Sequence, residues 1–247
     1  MPSVKSAKIR RNCVLRVPTT RMGQPPEIWL LGSLFLIAGL LLIFILIAQD
    51  VFEGETASFD RAAILAFRSA GNISESVGPP WVEEAARDIT ALGSIAVVTI
   101  LAGAVAAYLF LLGRRRPALL VLISVAGGTA LNDLLKYIFD RPRPDLVLHA
   151  TQVFTSSFPS GHATVSAVVY LTLGALLARD APSVAAKIYV MTVAILIVFL
   201  VGVSRIFLGV HYPTDVLAGW CIGSAWALTC WLAANRLQNK RAHAIRR

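Results

Sequence analysis

Along the chain, uncharged apolar runs of bilayer length alternate with short polar connections. The first run, Ile28 to Ala48, has about the ~20 residues that a crossing helix needs. Others cover Leu92 to Leu112, Ala118 to about Phe139, Ala163 to Ala178, Val184 to about Val203 and Val216 to Ala234. Two of these six carry charge, the third at Asp133 and Lys136 near its end and the fifth at Lys187 in its first turn. The pattern predicts an all-α protein: a six-transmembrane-helix bundle over residues 28–235, between basic tails at 1–27 and 236–247. The stretch from Gln49 to Asp88 is acidic and mixed instead. Within it Phe59, Ala62, Ala63, Ala66 and Phe67 recur at helical spacing, which predicts a short amphipathic helix lying against the membrane in the first outer loop. Gly78-Pro79-Pro80-Trp81 then marks a turn.

Composition supports a membrane protein. Of 247 residues, 56% are hydrophobic and 15% charged, where soluble domains run nearer a quarter charged. The first run is longer than a signal-peptide core and lacks a cleavage site, so an uncleaved helix is expected, with Trp29 as an interfacial anchor. Net charge is +9, yet its distribution points to topology and not to nucleic acid. With the N-terminal tail inside, sixteen of the twenty-three lysines and arginines fall on the cytoplasmic side. The positive-inside rule therefore places both termini in the cytoplasm. Cys221 and Cys230, nine positions apart in one run, would be separated by roughly 13 Å of helical rise, too far for a disulfide. Cys13 has no obvious partner either, and no metal-ligand spacing is present.

The outer side holds only Arg61, Arg68, Arg87, Lys136, Arg141, Arg143 and Arg205, four of them where the third and fifth spans emerge. Lys136 near a helix end can simply snorkel, and Asn132 or Asp133 can steer it from the turn before. The prolines of Arg141-Pro142-Arg143-Pro144 stiffen the backbone that carries its arginines, although either can also be a solvated loop charge. Pro159-Ser160-Gly161-His162 precedes the fourth span. It reads as a plain helix cap or as an anion site, because helix-start N–H groups lack internal partners. Beyond Ser204-Arg205 comes His211-Tyr212-Pro213-Thr214-Asp215. Thr214 or Asp215 can cap the sixth span; alternatively, an aspartate four positions after a histidine can accept its N–H and fix its tautomer. In the six-span arrangement Lys136, Arg143, Ser160, Gly161, His162, Arg205, His211 and Asp215 all fall on one membrane face, which suits a phosphate dianion.

These residues resemble the signatures of the type-2 phosphatidic acid phosphatase family. Lysine, six residues, Arg-Pro matches Lys136 through Arg143-Pro144, and this spacing selects Arg143 over Arg141. Pro-Ser-Gly-His matches Pro159 to His162. Ser-Arg, five residues, His, three residues, Asp matches Ser204-Arg205, His211 and Asp215. The resemblance covers the bundle from about the second span onward. It implies a six-helix membrane enzyme with a metal-free, cofactor-free outer-face site, related to acid phosphatases, vanadium haloperoxidases and glucose-6-phosphatase. By the same resemblance His211 attacks phosphorus and becomes a phosphohistidine, Asp215 orients it, and His162 protonates the leaving group and then activates water. Lys136, Arg143, Ser160, the Gly161 N–H and Arg205 would hold the phosphoryl oxygens.

The expected function is hydrolysis of a lipid phosphate or diphosphate at the periplasmic face of a bacterial inner membrane. Undecaprenyl diphosphate, phosphatidylglycerophosphate, phosphatidate and lipid A phosphates all present the same group, and residues 49–90 and 145–158 with the span walls would select among them. His211 must start neutral and His162 protonated, so activity should peak between two titrations. A phosphotransferase would share the first half-reaction. A transporter would carry ionisable residues at mid-membrane, whereas the charges inside these runs, Asp133, Lys136 and Lys187, lie near run ends. A non-catalytic lipid-binding scaffold would leave His211 and Asp215 without a task. Trp220, Trp226 and Trp231 read as packing or interfacial residues, and His149 and His243 as solvated. Oligomeric state stays open.

Overall fold

In the computed structural model, which describes residues 27–144 and 156–244, the chain forms α1 (Glu27–Glu53), α2 (Ala57–Leu65), a ribbon of β1 (Arg68–Ser69) and β2 (Asn72–Ser76), α3 (Pro80–Ala91), α4 (Ile95–Leu111), α5 (Arg115–Phe139), α6 (Gly161–Asp180), α7 (Val184–Phe207) and α8 (Pro213–Ala244). Side chains beyond Leu237 are not described. The N-terminal tail with Cys13, the segment around His149 and the side chain of His243 thus lie outside the described residues.

Five helices, α1 and α5 to α8, are long and apolar enough to cross a membrane. The expected second span differs from the observed helix. Gly93 and Ser94 interrupt it, the Ser94 hydroxyl caps α4 by accepting the Val97 N–H at 3.3 Å, and α4 itself has only 17 residues. It reaches spanning length together with α3, across a 45° bend. α7 runs past the expected end at Val203 to Phe207, because nothing breaks it before Gly209, whose φ of 71° turns the chain. Ser204 and Arg205 accordingly sit inside a helix.

The segment between α1 and α4 also holds more structure than one helix. The antiparallel ribbon β1–β2 departs from the expected all-α class, and the Gly-Pro-Pro-Trp turn opens α3, with Pro80 in its first turn where a missing N–H costs nothing. α2 forms close to where the spacing places a helix, but its protein-facing residues are Asp60 and Ile64, while Phe59 and Ala62 point outward.

α6 occupies the centre of the bundle, packed on α5, α7 and α8. Its residues Ala163 to Val169 are all buried, as a helix surrounded by others requires. Glycines set how closely its neighbours approach. A Cβ on Gly223 would lie 2.5 Å from the Thr164 carbonyl oxygen, so α8 and α6 meet backbone to backbone, the small-residue packing that holds helices together in lipid. Gly127 admits the Trp226 ring, whose Nε1 donates to the Ser124 carbonyl at 2.9 Å, and Gly202 admits Trp220, bonded to the Val198 carbonyl at 3.1 Å. Both tryptophans are therefore packing residues. At one end of the bundle Phe158, fully buried, packs between Phe44 of α1, tilted against it, and Phe139 of α5, edge-on to it, an apolar floor under the polar residues beside it.

Candidate active site

Four helix ends meet above that floor: the last turn of α5, the first turns of α6 and α8, and the last turn of α7. α5 stops at Asp140, in the left-handed region at φ 37°, and the chain doubles back. The Arg141 carbonyl accepts the Ser157 N–H at 2.8 Å, and its N–H donates to the Ser156 hydroxyl at 3.0 Å, so the segment leading out of α5 and the segment leading into α6 are sewn together. α6 and α8 are joined in turn by the Ser160 N–H, which donates to the Asp215 carbonyl at 2.9 Å.

His211 and Asp215 are buried at this junction. His211 Nδ1 stands 3.4 Å from Asp215 Oδ2 and 3.3 Å from the Ser157 hydroxyl, which itself donates to Asp215 Oδ2. The Tyr212 N–H donates to the same oxygen at 2.9 Å. On the other side of the ring, Nε2 lies 3.3 Å from Arg143 Nη1, which also donates to the Val210 carbonyl at 3.0 Å. A guanidinium can only donate, so Nε2 carries the lone pair and Nδ1 the proton, shared between Ser157 and Asp215. Burial above all, with the charges of Arg205 and Arg143 adding to it, pushes the His211 pKa from 6.5 to about 3 against the opposing pull of Asp215. The ring is neutral at physiological pH.

The remaining expected residues gather around this pair less directly. Arg205 Nη1 donates to Thr90 Oγ1 of α3 at 3.1 Å, and its charge acts on both His211 and His162. Lys136 Nζ donates to the Ser156 carbonyl, while Asp133 acts on it only as a nearby charge and Asn132 does not hold it. Gly161 opens α6 beside Lys136: a Cβ there would come within 3.7 Å of Lys136 Cε and 3.4 Å of the Asn132 amide. Ser160 occupies the N-cap position, but its hydroxyl makes no cap bond and is buried without a partner. The plain-cap reading of that serine is thus incorrect, since its side chain leaves the helix end unserved. His162, half-buried, has Gly93 packed against its backbone. Among the described residues no three His, Cys, Asp or Glu side chains gather as a metal-binding group.

Three contributors escape sequence reasoning. Arg141 is no solvated loop charge: its Nη1 donates to Asp215 Oδ1 at 2.7 Å and its Nη2 to Asp60 Oδ2 at 2.8 Å, with the guanidinium 4.3 Å above the Tyr212 ring. Asp60, fully buried, also accepts the Thr214 N–H at 3.2 Å and the Thr214 hydroxyl at 2.7 Å. The start of α8 is therefore served from two sides: Asp60 of α2 accepts the Thr214 N–H, and Asp215, as the sequence allows, caps it from within by accepting the Tyr212 N–H. Ser157 completes the group. The stiffened Arg-Pro-Arg-Pro run is the only sequence signal that bears on these three. Nothing in the acid-rich stretch distinguishes Asp60, and Ser157 belongs to no motif.

A bundle of membrane-length helices that gathers two histidines, a buried aspartate and a set of cations at one end defines a helical membrane protein with a cation-rich polar site. The chain belongs to the PAP2 superfamily, whose family model matches residues 117–239. It is 32% identical over 187 residues to phosphatidylglycerophosphatase B of Bacillus subtilis, covering 74% of this chain and 87% of that one. It is 30% identical over 115 residues to undecaprenyl-diphosphatase of Sulfolobus acidocaldarius, covering 44% and 52%. The crystal structure of a transmembrane PAP2-type phosphatidylglycerolphosphate phosphatase from Bacillus subtilis matches with a TM-score of 0.71 at 30% identity, over 79% of this chain and 94% of that one. The family inferred from the three signatures is borne out.

Proposed function

We propose that the protein is an integral membrane phosphatase that hydrolyses a lipid phosphate or diphosphate through a phosphohistidine at His211. The observation that carries this reading is the tautomer: Nδ1 is tied to Asp215 and Ser157, which leaves the Nε2 lone pair facing Arg143 in a cationic pocket. A phosphoryl group drawn there meets a neutral nucleophile.

In the first half-reaction Nε2 bonds to phosphorus as the bond to the leaving lipid oxygen breaks, and that oxygen takes the proton of His162. The imidazole ring becomes cationic, and Asp215 is placed to stabilise it through Nδ1–H. In the second, neutral His162 takes a proton from water as its oxygen attacks phosphorus. The N–P bond breaks, its electron pair returns to Nε2, and orthophosphate leaves. Arg143, Lys136 and Arg205 neutralise the equatorial oxygens, with the Ser160 hydroxyl, otherwise unpartnered, and the Gly161 N–H as further donors. Positioning and charge neutralisation by three cations suffice for this transfer without a metal ion.

Six spans over residues 28–235, with α3 and α4 together forming the second, would place this site at the periplasmic face of a bacterial inner membrane and both basic tails in the cytoplasm. The lysine and arginine distribution supports that orientation. An acyl or prenyl chain could then stay between helices while its headgroup enters the site.

The test is orthophosphate release by purified protein from phosphatidylglycerophosphate, phosphatidate, undecaprenyl diphosphate and lipid A phosphates, with chelator throughout and with or without an acceptor lipid. Turnover on at least one substrate is expected, falling ~1,000-fold or more in His211→Ala. Retained turnover in that variant, or strict dependence on added metal, contradicts the mechanism. Transfer of phosphate to the acceptor lipid in place of release would identify a phosphotransferase.

A further inference from the structure

We propose that Asp60 of α2 is a positioning residue for the phosphoryl-transfer site, acting on Asp215 and hence on His211 through the guanidinium of Arg141; this rests on the phosphatase reading above.

Every polar atom of the Asp60 carboxylate is engaged. Oδ1 accepts the Thr214 N–H, and Oδ2 accepts both the Thr214 hydroxyl and Arg141 Nη2. A carboxylate with no exposed surface is costly to bury, and in a nine-residue helix whose other polar side chains face outward it has a structural reason only if it holds something. What it holds is one tine of a fork. The other tine, Nη1, bonds Asp215 Oδ1 and the Thr214 hydroxyl. Thr56 Oγ1, 3.3 Å from Nη2, and the Tyr212 ring leave the guanidinium one orientation.

Two consequences follow for the chemistry. Asp215 Oδ1 is pinned from α2, which leaves Oδ2 turned toward His211 Nδ1, Ser157 and the Tyr212 N–H. Arg141 alone would also neutralise Asp215 and weaken its hold on the ring as it turns cationic. Two carboxylates around one guanidinium keep the cluster net negative beside His211, which favours the cationic phosphoimidazole. Lysine is a poor replacement for Arg141, because one nitrogen cannot stand in both places at once where Nη1 meets Asp215 and Thr214 and Nη2 meets Asp60 and Thr56. The segment between α1 and α4 thereby enters the catalytic machinery from outside the three signature motifs.

The experiment is steady-state kinetics of Asp60→Asn and Arg141→Lys on the best lipid phosphate, alone and in an Asp215→Asn background. The expectation is a kcat lower by ~10- to 100-fold with KM unchanged, because Asp60 can only accept and both Nη groups of Arg141 are already engaged by Asp215, Asp60 and the two threonines, and a much smaller effect once Asp215 is gone. Wild-type kcat in both single variants, an effect on KM alone, or an equal loss in the Asp215→Asn background would overturn the proposal. Arg141→Lys keeps the charge and covers the case in which Asp60→Asn does not accumulate in the membrane. Failure of the phosphatase reading would look different: the unaltered protein would release no phosphate, or His211→Ala would remain active.

Discussion

A Cβ on Gly219 of α8 would stand 2.8 Å from the Ser160 carbonyl oxygen at the start of α6, closer than real Cβ atoms come to backbone. The absence of a side chain there lets the Ser160 N–H reach the Asp215 carbonyl, so one glycine fixes the separation of the two helix starts at the candidate site.

Gly219→Leu is therefore expected to push α8 off α6. Overpacking of this kind costs ~1–3 kcal/mol, and a shift of about 1 Å at the site can cost ~100-fold in rate. Thermal unfolding in detergent together with turnover checks it. Full activity at unchanged stability would mean that α6 and α8 are not held by this approach. Gly219→Ala should show the same direction with a smaller effect.

Ser157→Ala removes the hydroxyl shared by His211 Nδ1 and Asp215. Leaving buried partners short of a hydrogen bond costs ~1–3 kcal/mol, and the freed imidazole should lower kcat by ~10-fold with little change in KM. Kinetics beside a melting curve separate the two effects.

Thr90→Val deletes the acceptor that holds Arg205 from α3. A hydrogen bond to a charged group is worth ~1.5–3 kcal/mol, so kcat/KM is expected to fall by roughly 10- to 100-fold. A fall confined to kcat/KM, with His211 and Asp215 untouched, would mark Arg205 as a phosphate ligand held from outside its own helix.

The pH dependence has a definite sign. Folded His211 has its pKa pushed to about 3 from 6.5, so between those values it binds fewer protons than the unfolded chain. Its contribution to stability is complete above about pH 6.5 and is lost as pH falls toward 3, at up to ~1.4 kcal/mol per unit. The acid limb of kcat/KM due to His211 should likewise lie well below the ordinary imidazole range. Melting temperatures and rates across pH 3.5 to 8 test both, and a His211 signal titrating near 6.5 in a labelled-histidine NMR experiment would contradict them.

Much of this was legible because it follows from periodicity and spacing. Apolar runs mark the long helices, and the motif spacings put His211, Asp215, Arg143 and the α6 start at one end of the bundle. What stayed hidden depends on tertiary placement. Asp60 is one acid among many between residues 49 and 90, and its burial becomes visible only when α2 docks on α8 with Ile64 and not Phe59 inward. The signature spacing singles out Arg143 and not Arg141, yet the two arginines have separate partners, one His211 Nε2 and the other Asp215. Ser160 shows the converse: its place at a helix start is readable, its unpartnered hydroxyl is not. The break at Gly93-Ser94 hides inside an otherwise unbroken apolar run.

The most direct test of the account is to incubate the purified protein with a lipid phosphate carrying a radiolabelled phosphoryl group, quench it in alkaline detergent within milliseconds, and map the label. The account predicts label on His211, stable to base and released by acid, absent in His211→Ala. Phosphate release with no labelled protein, or label on any other residue, would contradict it.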